Sequence, residues 1–205
     1  MTIPSDVLDA AAADPASPAW TRIWRDSFRS GSSDPDSAAL LPWLARTCAA
    51  FSPEQRETAV IQAGRIALDA TDEDRAAYAS DIEVLRALAV EGLPSASTDR
   101  MFVYLQQALL AYDGDELWGK ELDRLNDAEA DVVCPECDDD LLVDLDSDDG
   151  SITPGLSSPL GARLHAQAVR AGRKSVATRL TFLFGQLTCP SCGSSFPPAD
   201  HLAGT

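Results

Sequence analysis

Apolar residues recur at helical spacing through the first 127 residues, and the polar breaks between them carry helix-start signals. Trp20, Ile23, Trp24 and Phe28 form the first stripe, which predicts a helix from Trp20 to Ser30. GSSDPDS then breaks the chain. A second helix is expected from about Ser37 to Phe51, with Leu40, Leu44, Cys48 and Phe51 on one face and its regular part starting at Pro42. Ser52-Pro53-Glu54-Gln55 places Ser at the N-cap, Pro at the first helical position and Gln where a capping box needs it. That helix should run to Ala70 on Val60, Ala63, Ala67 and Ala70. Thr71-Asp72-Glu73-Asp74 opens another, to about residue 91, with Tyr78, Ile82, Leu85 and Ala89 inward. Phe102, Leu105, Leu109 and Tyr112 mark a helix over 98–112, and Leu117, Trp118, Leu122 and Leu125 a shorter one over 115–125.

Short connections between such helices favour antiparallel neighbours. The pairs 37–51/53–70 and 72–91/98–112 repeat at a spacing of about 35 residues, as helical hairpins of the HEAT or tetratricopeptide kind do. The consensus residues of those repeats are absent, so an irregular bundle remains open beside a short hairpin repeat. From about Asp127 the period changes. DVVC and LLVDL alternate as half-exposed strands do, a loop DSDDGSITPGLSSP follows, and helical patterning returns over 160–171 and 175–184. Gly172 is placed to cap the first of these helices, and QLTC reads as a closing strand. The expected fold is therefore mainly α (α+β): a helical domain over 1–127 and a smaller strand-bearing domain over 128–205.

Four of the five cysteines form two C-P-x-C units, Cys134/Cys137 and Cys189/Cys192, with 51 residues between them. Two intervening residues let a tight turn aim both sulfurs at one cation, and two such turns supply the four thiolates of a tetrahedral zinc site. A rubredoxin-type iron site uses the same ligands. A redox CxxC would need its cysteines to open a helix in a βαβ setting, and Asp138, Asp139 and Asp140 would raise rather than lower a thiol pKa. The expectation is one structural Zn2+ per chain on Cys134, Cys137, Cys189 and Cys192. Metal binding would then close a long loop and couple to folding. Cys48 belongs to an apolar stripe and reads as a core thiol; His165 and His201 are isolated, His201 in a tail expected to fray.

Charge narrows the function. The net charge is -17, made of 11 basic and 32 acidic residues over 1–150 and five basic and one acidic over 151–205. Such a surface repels duplex nucleic acid. Nine acids and no base lie between Asp131 and Asp149, yet DLDSDDGSITP lacks the closing Glu of an EF-hand calcium loop. Arg163, Arg170 and Lys174 fall at helical spacing on one face, with Arg173 and Arg179 near. The N-terminus MTIPSDVLDAAAADP has no basic or long apolar segment, and no apolar run can cross a bilayer, so a cytoplasmic protein is expected. In that compartment paired cysteines serve metals more often than disulfides. There is no phosphate-binding GxxxxGK, no GxSxG, no HExxH and no dinucleotide turn.

DELWGKELDRLND, VVCPECDDDLLVDL, GARLHAQAVRAG and LTFLFGQLTCPSCGSSF together resemble a family of bacterial proteins of unassigned activity, with a helical, HEAT-like N-terminal region and a split zinc ribbon. The resemblance covers about residues 115–197 and implies the domain pair and the metal site, with no catalytic residue. Ribbons of this kind carry glycine after each knuckle, where this chain has Asp138 after the first and Gly193 after the second. The leading functional expectation is a non-enzymatic adaptor with a protein partner. The alternatives are a transcription-linked nucleic-acid binder using the Arg163–Arg179 face, and an accessory biosynthetic enzyme with a polar cleft at Tyr112, Asp115 and Trp118.

Overall fold

The computed structural model describes residues 3–29, 32–147 and 150–204. The architecture is mainly α with small antiparallel sheets, the class the periodicities predict. Asp148 and Asp149 of the acidic tract, and Ser30 and Gly31 of the first break, lie outside the described residues. The chain forms two compact units, Met1–Leu122 and Asp123–Thr205.

In the first unit α1 (Ser5–Ala13) and α2 (Ala19–Ser27) pack together. α1 was not anticipated, because its inward positions are only Val7 and Ala11 in an alanine-rich run. Two-residue strands β1 (Phe28–Arg29) and β2 (Ser32–Ser33) pair antiparallel. A 3-10 turn, Pro35–Leu40, leads into α3 (Leu41–Ala49), whose regular part starts beside Pro42 as expected. α4 (Pro53–Asp69) opens with Gln55 reaching back to accept the Ser52 amide at 3.1 Å.

The helix predicted over 72–91 is two helices, α5 (Asp72–Ala77) and α6 (Ala79–Gly92), separated at Tyr78 with φ −106°. Arg75 supplies the reason. Its guanidinium donates to the carbonyls of Ala67, Ala111 and Tyr112, so α5 is tied to the exposed carbonyl ends of two other helices. α6 instead packs along α3, α4 and α7 (Asp99–Asp113). One straight helix would not serve both tasks.

The hairpins α3/α4 and α6/α7 stack first helix on first and second on second, and α8 (Trp118–Glu121) closes against α7 and α4. Their shared core includes Leu41, Leu44, Ile66, Leu85, Phe102 and Leu105. At Gly64 an added Cβ would lie 2.9 Å from the Ala108 Cβ, so glycine permits the close α4–α7 approach. The Tyr112 hydroxyl donates to the Val60 carbonyl at 2.6 Å. Tyr112 and Trp118 are buried, and Asp115 caps the Trp118 amide at 2.9 Å, so these residues build core and turn rather than the walls of a cleft.

The second unit begins with α9 (Arg124–Asp127), so the element expected over 115–125 is split between the units. β3 (Glu129–Val133) and β4 (Asp140–Asp144) are the two expected strands and pair as a hairpin, with Asp131 opposite Leu142 and Val133 opposite Asp140. β5 (Ile152–Thr153) is followed by α10 (Pro159–Arg170) and α11 (Lys174–Leu183), the two inserted helices. They pack as a pair, and Gly161 makes room for the Phe184 ring. Gly172 turns the chain between them at φ +70°, so Lys174 starts α11 and does not extend the α10 face that carries Arg163 and Arg170. β6 (Gln186–Thr188) returns between β5 and β7 (Ser195–Phe196).

The tail expected to fray is fixed. Residues 201–203 run antiparallel along the second edge of β3: Val133 donates to the His201 carbonyl at 2.9 Å, and Ala203 to Asp131 at 2.8 Å. Leu202 is buried, and the His201 ring stands edge-on to Phe196 with centroids 5.2 Å apart.

Candidate metal centre

Each C-P-x-C unit is the turn of a hairpin. β3 delivers Cys134 and β4 leaves after Cys137; β6 delivers Cys189 and β7 leaves after Cys192. The two turns share one hydrogen-bond pattern. Asp138 donates to the Cys134 carbonyl at 3.0 Å and Cys134 to the Asp139 carbonyl at 2.9 Å. In the second turn Gly193 donates to Cys189 at 2.9 Å and Cys189 to Ser194 at 2.8 Å. The residue after each second cysteine lies in the left-handed region, Asp138 at φ 56° and Gly193 at φ 76°. Glycine takes this conformation without strain; aspartate is among the few other residues that tolerate it.

This folding brings together all four predicted cysteines, 51 residues of insertion notwithstanding. Their Sγ atoms all lie within 4.8 Å of one another. Across the turns, Cys134 to Cys192 is 3.7 Å and Cys137 to Cys189 is 3.8 Å. A tetrahedral centre with zinc–sulfur bonds of ~2.3 Å has sulfur–sulfur edges of ~3.8 Å. A disulfide would need ~2.05 Å. The group can hold a metal ion, and among the described residues no other group of three or more such side chains comes together. Cys134 and Cys189 are buried, Cys137 and Cys192 exposed.

Ser194 is a residue that motif reading missed. Its Oγ lies 3.3 Å from the Cys134 Sγ and 3.1 Å from the Cys192 Sγ, where its hydroxyl can donate to either thiolate. That bond is the main cause holding the Cys134 thiol down to about 6, and it lowers Cys192 as well. Cys137 goes the other way. The Asp139 amide pulls it down, but the neighbouring thiols and desolvation outweigh that and push it up to about 12. Four sulfur centres this close cannot all be anionic unless a cation or protons share them. The position two residues after the knuckle is Ser194 in one turn and Asp139 in the other, and Asp139 accepts the Ser191 hydroxyl across the two turns.

The remaining candidates fall elsewhere. Cys48 is fully buried in the first unit, its thiol pushed up to about 12 chiefly by desolvation, as a core residue should be. His165 is half-buried on α10 and joins no metal-ligating cluster among the described residues. Arg179 is committed to structure: it grips Asp146 through two bonds of 2.8 and 2.6 Å and donates to the Leu125 carbonyl at 2.7 Å. No described helix is long and apolar enough to cross a membrane. No protein-family model, curated protein or solved structure matches the chain.

Proposed function

We propose that Cys134, Cys137, Cys189 and Cys192 bind one structural Zn2+, and that the chain is a cytoplasmic adaptor that engages a protein partner and catalyses no reaction itself. The observation that supports this reading best is the set of sulfur–sulfur distances, 3.7 and 3.8 Å, which suit four bonds to one zinc. Four thiolates leave no open coordination position for water, so the ion's work is to fasten two hairpins rather than to activate a nucleophile. The split ribbon and its two inserted helices form one domain of this reading, and the helical region up to about residue 127 forms the other.

Elemental analysis of the purified chain tests the metal. One zinc per chain in a colourless solution supports the reading; iron with visible absorption, or a folded chain without metal, overturns it. Affinity capture of a stoichiometric protein partner, with no turnover or nucleic-acid retention in the same preparation, tests the adaptor role.

A further inference from the structure

The outward face of the β3–β4 hairpin is built from Glu129, Asp131, Asp140 and Asp144, with Leu142 in their midst. The register places Glu129 opposite Asp144, an arrangement of like charges that costs stability within a hairpin. Leu142 is 65% exposed, the highest value among the exposed large apolar side chains of the described residues. A shallow hollow beside it is lined by Asp131, Asp140, Leu141 and Ala203. Arg124 reaches Asp131 at 3.5 Å from one side; no other described ion pair touches the four acids. The face is thus apolar at its centre and acidic at its rim.

The same unit carries a surface of the opposite kind. On α10 the exposed positions Ala162, Ala166 and Val169 form a stripe, flanked by Arg163 and Arg170. Val169 is 56% exposed, second only to Leu142. Residues 151–205 hold five basic residues and one acid, the reverse of the balance elsewhere in the chain. Two apolar protrusions, one ringed by acids and one flanked by arginines, are complementary in charge and in polarity. In one molecule both point to solvent, so they cannot cover each other there.

We propose that the hairpin face around Leu142 docks on the α10 face around Val169 of a second copy of this chain. The two surfaces differ, so the contact is head to tail and can propagate into a ring or an open chain. A five-residue hairpin against three helical turns makes a small interface of the weak, transient class, with an ionic rim that salt screens. The inference stands apart from the metal assignment, and zinc content measured in every sample separates a failure of one from a failure of the other.

Sedimentation velocity on the full chain tests it. In low salt the weight-average sedimentation coefficient should rise with protein concentration up to several hundred micromolar, and ~0.5 M salt should return it to the monomer value. Val169→Glu/Arg170→Glu makes α10 net acidic, and Asp140→Lys/Leu142→Lys/Asp144→Lys makes the hairpin face net basic; all five positions are exposed, so folding and zinc content should be unchanged. Each variant alone should be monomeric, and an equimolar mixture should regain association because each altered face now fits the other. A wild type that stays monomeric in low salt overturns the proposal, even if the hairpin captures oligoarginine, since that would assign the face to a foreign basic partner. Association that persists in either variant alone, or fails to return in the mixture, overturns it too.

Discussion

If the four cysteines hold zinc as proposed, replacing Cys189 with Ser removes one of the four sulfurs and, with it, the fastening between the two hairpins. The size of the effect follows from linkage. An ion that binds the folded unit and not the unfolded one stabilises it by ~4 kcal/mol at about a thousandfold excess over its dissociation constant, and that contribution goes with the site. A domain the size of Asp123–Thr205 has a total stability of only ~4–12 kcal/mol, so that share is large. At ~4–8 °C per kcal/mol, the second unit's transition should fall by ~15–30 °C. The first unit has its own core of Leu41, Leu44, Ile66 and Phe102, and its transition should stay in place. Calorimetry with far-UV circular dichroism reads both transitions, and elemental analysis reads the zinc. Cys48→Ala is the control: it lies at 0% exposure outside the cluster, so it should lower only the first unit's stability, by ~1–2 kcal/mol, with zinc retained. Full zinc and an unshifted transition in Cys189→Ser, or loss of zinc in Cys48→Ala, would refute the reasoning.

Three further outcomes are expected. Asp138→Gly relieves a left-handed aspartate at φ 56° and should raise the second unit's melting temperature by ~4–8 °C, on a strain of ~1 kcal/mol; a lower value would mean the carboxylate itself supports the turn. Gly64→Ala places a methyl 2.9 Å from the Ala108 Cβ, so overpacking of ~1–3 kcal/mol should outweigh the ~1 kcal/mol gain in helix propensity, and chemical denaturation should show net loss. The Glu54 carboxyl is held below its ordinary range by its own amide and then by the Ser52 hydroxyl at the start of α4. A lowered folded-state value stabilises above the unfolded value of ~4.3 and is lost as pH falls through the folded one, so Glu54→Gln should weaken the first unit at pH 7 by an amount that shrinks as pH falls below the unfolded value in urea titrations.

What the sequence made legible was local. The four ligand candidates stand in two copies of one short motif, and the capped starts at Ser52 and Thr71 are each written within four residues. The two strands follow from alternation in DVVC and LLVDL, while their register is known only from the structure. The break at Tyr78 was hidden because Ile82, Leu85 and Ala89 continue the stripe of the preceding turn; Arg75 breaks the helix through carbonyls on α4 and α7, which no local window contains. Ser194 carries no motif weight, since its value comes from two sulfurs, one of which is 60 residues away. Lys174 was placed on the face of Arg170 by extending one helical period through Gly172, where the positive φ ends that period.

The pairing of residues 201–203 with β3 changes how the insertion should be understood. A 51-residue excursion between two knuckles costs chain entropy that a cation alone would have to offset. Here the excursion is folded back on itself: α10 packs on α11, and β6 returns beside β5 at Ile152–Leu187, so its ends leave close together. After the second knuckle the chain crosses to β3, where His201 and Ala203 complete the backbone pairing of Val133 and Asp131, and Arg124 donates to the Ala203 carbonyl at 3.1 Å. Both knuckles are therefore set by backbone on either side of the sulfurs, and Val132 and Leu202, paired across that edge, are buried. A metal entering such a site meets ligands already turned toward one point, so its binding energy goes into displacing protons from the thiols and less of it into ordering the chain.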